Sequence, residues 1–440
     1  MSLYLHDNVD DKPLVHVEIA IAQTCATPLA VLRQTWQEYL CQRTDPLPLG
    51  NGAALANSPD TPDLLRSSYG GSLLVVFEQQ HDDSAIASIT SLALSVDAAY
   101  FLHVHVYVLS TEEAHLEEVE PGESDGDWTA ACENLALPHA SLHGVYESLI
   151  FETDIGQDLL SFASSASLFA DQHVQSHVVH WNRLLLLHGP PGTGKTSLGR
   201  SLAHKLAIRT SARFPRANLL EIHSHSLFSK WFSTSGKLIH RVFELIRDMV
   251  QDDPSCLVCV LIDEIESLAA SRSALTSTGE PSDALRAVNS LLTSLDRLRS
   301  LPNVLVIATT NLTASVDAAF LDRADLKIYI GLPCLQARYE ILRSCLDELA
   351  RVGILTISNP SSDALLAFRD IARSDESQPS TVLVSLAGMA EGLSGRSLRR
   401  LALQAHALFV RRPQASLTLF LSALQRTIER EIGSLPSPLV

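Results

Sequence analysis

Two periodicities divide the chain. Up to about residue 150, apolar and polar positions alternate with a period of two in "LVHVEIAIA", "SLLVVFEQ" and "YFLHVHVYVL", as half-buried strands require. One helical stretch, "PLAVLRQTWQEYL", lies among them, so a small N-terminal α/β unit is predicted. From about Val178 the runs become short and continuously apolar, "RLLLLH", "NLLEIH", "LVCVLI", "VLVIATT" and "LKIYI", with helical periods between them. That alternation predicts a parallel sheet covered by helices. In one covering helix, "SDALRAVNSLLTSLDRL", Leu285, Val288, Leu291, Leu292, Leu295 and Leu298 form a single stripe. After Pro333 the strand signals fade, and "LQARYEILRSCLDELARVG" and "SLRRLALQAHALFVRR" read as helices of a final small unit. "EEAHLEEVEPGESDGD", acidic and without Lys or Arg, reads as a solvated loop. The expected division is 1–136 for the N-terminal unit, 137–177 for a connector, 178–332 for the large α/β unit and 333–440 for the helical one.

Composition narrows the class. At 440 residues the chain exceeds what one core usually supports, and 46% hydrophobic with 19% charged residues describes an ordinary globular protein. A net charge of −17 repels phosphate backbones, so nucleic acid is not expected as a direct partner, and a protein client is. The opening "MSLYLHDNVDDK" lacks the basic and apolar segments of a signal peptide, and no apolar run has spanning length; cytosol or nucleus is expected, with no membrane partner. Seven scattered cysteines suit a reducing compartment. Cys256 and Cys259 have ligand-like spacing, but on a strand they point to opposite faces and read as packed thiols. His103 and His105 share a strand face without a visible third ligand, and read as solvated strand histidines.

The strongest chemical signal is "HGPPGTGKTS", comprising Gly189, Pro190, Pro191, Gly192, Thr193, Gly194, Lys195, Thr196 and Ser197, between an apolar strand and a helical pattern. Glycines let backbone N–H groups close around phosphate oxygens, Lys195 reaches the β- and γ-phosphates, and Thr196 ligates Mg²⁺. ATP and Mg²⁺ are the expected ligands. "LVCVLI" ends in Asp263 and Glu264, where an open α/β sheet binds ligand; Asp263 can serve the metal and Glu264 can polarise the attacking water. The alternative is an acidic pair favoured at a helix N-terminus. Asn311, ending "VLVIATT", can orient that water or be a plain turn residue. Arg323 can stabilise transferring phosphate from a neighbouring subunit or pair with Asp322 or Asp325. Arg396, opening a late helix in "GLSGRSLRRL", can reach phosphates or be structural. Trp231 and Phe232, in "SKWFSTSGK", are either core residues at a strand–helix junction or an exposed aromatic grip.

In this order these motifs resemble the AAA+ ATPases, and "VVHWNRLLLLHGPPGTGKTSLGRSLAHKLAIR", "EIHSHSLFSKWFSTSGKL", "DRADLKIYIGLP" and "EGLSGRSLRRLALQAHALFV" resemble the pachytene checkpoint protein 2 family within them. "LPHASLHGVYESLIFE" is similar to that family's connector. The resemblance implies an AAA+ P-loop fold with a small helical lid and an N-terminal α/β domain that engages client and adaptor. It implies a homohexamer that hydrolyses ATP to unfold HORMA-domain clients partly, through a HORMA-fold adaptor, in meiotic checkpoint control and spindle-checkpoint silencing. Nucleus and cytoplasm are the implied locations. Carried over, Glu264 activates water, Asn311 and Arg396 are sensors, Arg323 is the arginine finger, and Trp231 with Phe232 form the first pore loop. Phe232 and Ser233 replace the aliphatic residue and glycine common among unfoldases, and Phe320 stands where many carry a second arginine. A DNA-associated motor or clamp loader is disfavoured by net charge, and an inactive nucleotide-gated scaffold by the intact Glu264, Asn311 and Arg323 set.

Overall fold

In the first strand, β1 (Leu14–Ile21), the period of two separates two environments. Val15, Val17, Ile19 and Ile21 join Leu32, Trp36 and Leu40 of the helix Leu29–Gln42 in one apolar core. His16 and Glu18 lie on the opposite face and are also buried. The computed structural model describes residues 14–42, 47–48, 50–51, 58, 60–78, 91–92, 101–119, 129–151, 153–175, 177–223, 235–267, 281–299, 301–312, 316–356, 365–373 and 379–433. Around β1 the N-terminal sheet runs β3 (Gly50–Asn51), β4 (Tyr69–Glu78), β1, β6 (Phe101–Val108), while β2 (Leu47–Pro48) pairs with β5 (Ser91–Leu92). β4 runs antiparallel to β1 and β6 parallel to it, with His16 opposite His103 and Glu18 opposite His105. The expectation of solvated strand histidines is therefore corrected: His105 is buried, His103 half-buried, and His16 stands beside them.

Among the described residues the second sheet has seven strands: β13 (Leu326–Tyr329), β9 (Leu184–His188), β12 (Val304–Thr310), β11 (Cys256–Asp263), β10 (Arg216–His223), β8 (Thr129–Leu137) and β7 (His115–Val119). The first five are mutually parallel, as the apolar runs predict. β8 and β7 add antiparallel at one edge, so residues 115–119 and 129–136, assigned from sequence to the N-terminal unit, belong to strands of this sheet. The front of the acidic stretch is thus an edge strand rather than a loop. Continuous apolar strands need cover on both faces. On β11, Val258, Val260 and Ile262 enter one core with the helices Ser235–Asp252 and Pro281–Leu298, while Leu257 and Leu261 enter the other with Ile155–Asp171 and Lys195–Arg209. Val288, Leu291, Leu292, Leu295 and Leu298 reach the first core as their stripe predicts. Cys256 and Cys259 divide between the two cores, and burial raises their thiols to about 11 and about 12.

The two sheets meet across the helix Lys195–Arg209. Ala20 and Tyr107 pack on Ile208, and buried Glu18 pairs with Lys205 and Arg209, the latter at 3.3 Å. Burial alone would raise the Glu18 carboxyl, but those two cations hold it at about 2. Lys205 also reaches Glu147 of the connector. The last unit packs the helices Leu335–Arg351, Pro379–Met389, Gly395–Ala405 and Leu417–Gly433 around Tyr339, Leu398 and Phe420, with β14 (Leu355–Thr356) and β15 (Ala415–Ser416) paired beside them. Among the described residues no helix is long and apolar enough to cross a membrane.

Candidate active site

The carboxyl ends of β9, β11 and β12 lie side by side, the position where a parallel sheet binds ligand. β9 leads into Gly189, whose φ is +145°, and a Cβ there would lie 2.1 Å from the Ile330 carbonyl oxygen, so only glycine fits. The loop turns into the helix at Lys195, and the helix N-terminus supplies unpaired N–H groups and positive potential. Lys195 is buried, and its Nζ donates to the carbonyls of Gly189 at 2.9 Å and Pro190 at 2.7 Å. Burial lowers its pKa, against the nearby carboxylates of Glu266 and Asp263, which raise it.

One turn into the site, Thr196 Oγ1 donates to Asp263 Oδ1 at 2.8 Å, which joins the phosphate loop to the end of β11. Thr309 of β12 donates to the same carboxylate oxygen and accepts from the Glu264 amide at 3.2 Å. Glu264 has φ +55°, a left-handed conformation that costs about 1–3 kcal/mol in a non-glycine residue and persists only where surroundings fix it. Asn311 follows β12, and its backbone N–H donates to Glu266 Oε1 at 3.1 Å. Glu266 was not singled out from sequence; its other oxygen is buried without a hydrogen-bond partner among the described residues. Its signal was the third acidic position in "DEIE", two residues past Glu264. Thr196 and Asp263 together offer the hard oxygen donors that suit Mg²⁺.

The lid completes the site. Ser394 Oγ caps the helix Gly395–Ala405 by accepting from Ser397 N at 3.2 Å, and the Arg396 amide donates to Gly192 O at 3.1 Å. Arg396 is therefore brought to the phosphate loop. Beside it lies a cavity of about 440 Å³ bounded by Gly194, Arg396 and the apolar side chains Ile150, Phe151, Leu332 and Ile341. Its walls offer apolar faces for a planar base next to the phosphate cradle. Ile150 and Phe151 were read only as connector; their signal was the apolar run within "YESLIFE".

Arg323 is not brought into this group. Its Nε and Nη2 donate to the Asp296 carboxylate at 2.8 and 2.9 Å, so the partner is neither Asp322 nor Asp325. Asp325 instead accepts from the amides of Asn182 and Leu184, and Asn182 Nδ2 donates to the Arg323 carbonyl at 2.8 Å. That contact fixes Arg323 at the amino end of β9. Gly189 is at the other end, about 20 Å away at the rise of a strand. Trp231 and Phe232 lie outside the described residues.

Two family models match: the ATPase family associated with various cellular activities (AAA) over residues 185–332, and the TRIP13-like, AAA+ ATPase lid C-terminal domain over residues 334–432. A pachytene checkpoint protein 2 homolog of Oryza sativa subsp. indica is 48% identical over 343 residues, covering 75% of this chain and 71% of the relative. The solved structure of C. elegans PCH-2 superposes with a TM-score of 0.75 at 29% identity, over 96% of this chain and 99% of that one. A chain in the structure of the E. coli MS115-1 HORMA:CdnC:Trip13 complex shares the fold, with a TM-score of 0.51 at 17% identity over 67% of this chain and 94% of that one.

Proposed function

Because the chain belongs to the pachytene checkpoint protein 2 family of AAA ATPases and is itself an ATPase, we propose that it works as a homohexamer that uses ATP hydrolysis to unfold HORMA-domain clients partly. The observation that carries the oligomer is the place of Arg323, at the far end of β9 from the phosphate loop. An arginine there cannot reach its own chain's phosphates, and a neighbour's site is where it acts. The client class follows from family membership, and the complex of a Trip13 with a HORMA protein supports it. A HORMA-fold adaptor engaging the N-terminal sheet, the connector and lid roles of 137–177 and 333–440 around the large domain, whose sheet takes in β7 and β8, the meiotic and spindle-checkpoint setting, and work in nucleus and cytoplasm belong to the same reading.

In this mechanism the loop from Gly189 to Ser197 holds the ATP phosphates. Lys195 exchanges its two carbonyl partners for β- and γ-phosphate oxygens. Thr196 and Asp263 would hold Mg²⁺, which would supply charge neutralisation for the phosphates. Glu264 accepts a proton from water as the water oxygen bonds to the γ-phosphorus. The bond to the β,γ-bridging oxygen breaks, giving ADP and phosphate. Asn311 orients that water, the neighbour's Arg323 stabilises the transferring group, and Arg396 couples the result to the lid. Trp231 and Phe232 grip the client in the pore. Trp231→Ala is expected to hydrolyse ATP while leaving a folded HORMA client intact in a fluorescence unfolding assay. Client remodelling at the wild-type rate by this variant would end the threading reading.

A further inference from the structure

We propose that His16, His103 and His105 form a binding site for a zinc-class divalent metal ion, on the face of the N-terminal sheet that packs against the helix Lys195–Arg209. The site is built by register. His103 and His105 are two apart on β6 and so share a face, and the parallel pairing of β1 with β6 sets His16 directly opposite His103. One ligand nitrogen from each of the three lies within 4.8 Å of the others, and His16 Nδ1 is 2.9 Å from His105 Nε2. A tetrahedral zinc with Zn–N of about 2.0–2.1 Å needs ligand nitrogens about 3.3–3.4 Å apart. Side-chain adjustments on the order of an ångström close the observed set onto one ion.

Position and charge both permit it. His16 and His105 are buried, and His103 and His105 border a cavity of about 580 Å³ shared with Gln37 and Arg209. The cavity gives an ion an entry path and room for a water in the fourth position, the arrangement of three-histidine zinc sites. Of the arginines that line this cavity, Arg209 is paired with Glu18 at 3.3 Å and Arg213 with Asp171, and Arg33 Nη2 donates to Ser211 Oγ at 3.4 Å. An ion there would pin β1 to β6 where the sheet rests on the helix that begins at the phosphate loop.

The test uses the full chain, stripped with a chelator and kept free of nucleotide, titrated with Co²⁺ alone and then with Zn²⁺ alone. The expected result is one saturable equivalent, a visible Co²⁺ spectrum of low coordination number without a thiolate charge-transfer band, and displacement by Zn²⁺. His103→Ala and His16→Gln should each weaken Co²⁺ binding at least about tenfold. Far-UV circular dichroism without metal checks their folding, and the half-buried His103 decides alone if His16→Gln does not fold. No saturable equivalent, a thiolate band, or wild-type affinity in a folded His103→Ala overturns the proposal.

Discussion

The backbone amide of Arg396 donates to the carbonyl of Gly192 at 3.1 Å, so the lid's helix begins on the phosphate loop itself. Gly192 has φ +77°, and a Cβ on it would stand 2.8 Å from Ser394 Oγ and 3.3 Å from the Arg396 Cβ. Lid position and loop shape are thus one geometric constraint. Gly192→Ala should therefore weaken nucleotide binding by roughly tenfold, the effect of about 1–2 kcal/mol of left-handed strain. Titration with a fluorescent ATP analogue measures it, and unchanged affinity would mean that the lid yields freely.

Glu264 is held by Thr309 at its backbone, so replacing its carboxylate leaves the turn in place. Glu264→Gln should keep ATP affinity within a few-fold and lower phosphate release by about 10²–10⁴, the usual contribution of a general base. Paired binding and phosphate-release assays check both halves.

Arg323→Ala should lower hydrolysis by about 10³ or more. Mixing it with Glu264→Gln subunits distinguishes how it acts: a neighbour's intact Arg323 then faces an intact Glu264 at some interfaces, and activity above either parent is expected. If Arg323 served its own chain, every site in the mixture would lack one group and nothing would be recovered.

His204, buried on the helix Lys195–Arg209, accepts from the His139 amide at 3.2 Å, and burial, with Lys205 beside it, lowers its pKa to about 3. The unfolded chain takes up this proton near 6.5 and the folded chain only near 3, so stability is full above pH 6.5 and falls as pH drops through that window. At pH 5 the loss is about 2 kcal/mol. Glu18, at about 2 when folded, adds a loss in the same direction below about 4.5. His204→Asn, whose amide oxygen can accept the same bond, should show a smaller fall in Tm between pH 7.5 and pH 5 than the wild type in thermal melts.

What the sequence made legible was what it writes contiguously. The phosphate loop and the Asp263–Glu264 pair are local motifs at the ends of apolar strands, and the strands' parallel pairing puts those ends together. Asp296, by contrast, is 27 residues from Arg323, whereas Asp325, near it in sequence, accepts from the amides of Asn182 and Leu184 instead. The third histidine was hidden for a similar reason: His16 and His103 meet only through strand register, which no spacing along the chain encodes. Ile150 and Phe151 line the cavity because the connector folds back over the loop, a consequence of packing rather than of local pattern. The edge strand β7 hid behind its charge, since among the described residues no further strand pairs beyond it, which leaves less need for apolar residues there.

The helix Lys195–Arg209 has 15 residues, about 22 Å of rigid rod at 1.5 Å per residue. Its first turn meets the phosphates, and its last turn is bolted through Lys205 and Arg209 to Glu18 of the N-terminal sheet. Separating that joint would strand a buried charge, at about 3–5 kcal/mol. A rotation of the phosphate loop that keeps this joint intact would carry the N-terminal sheet with it as one lever arm, a small turn at the nucleotide giving a larger sweep at the far side of that sheet.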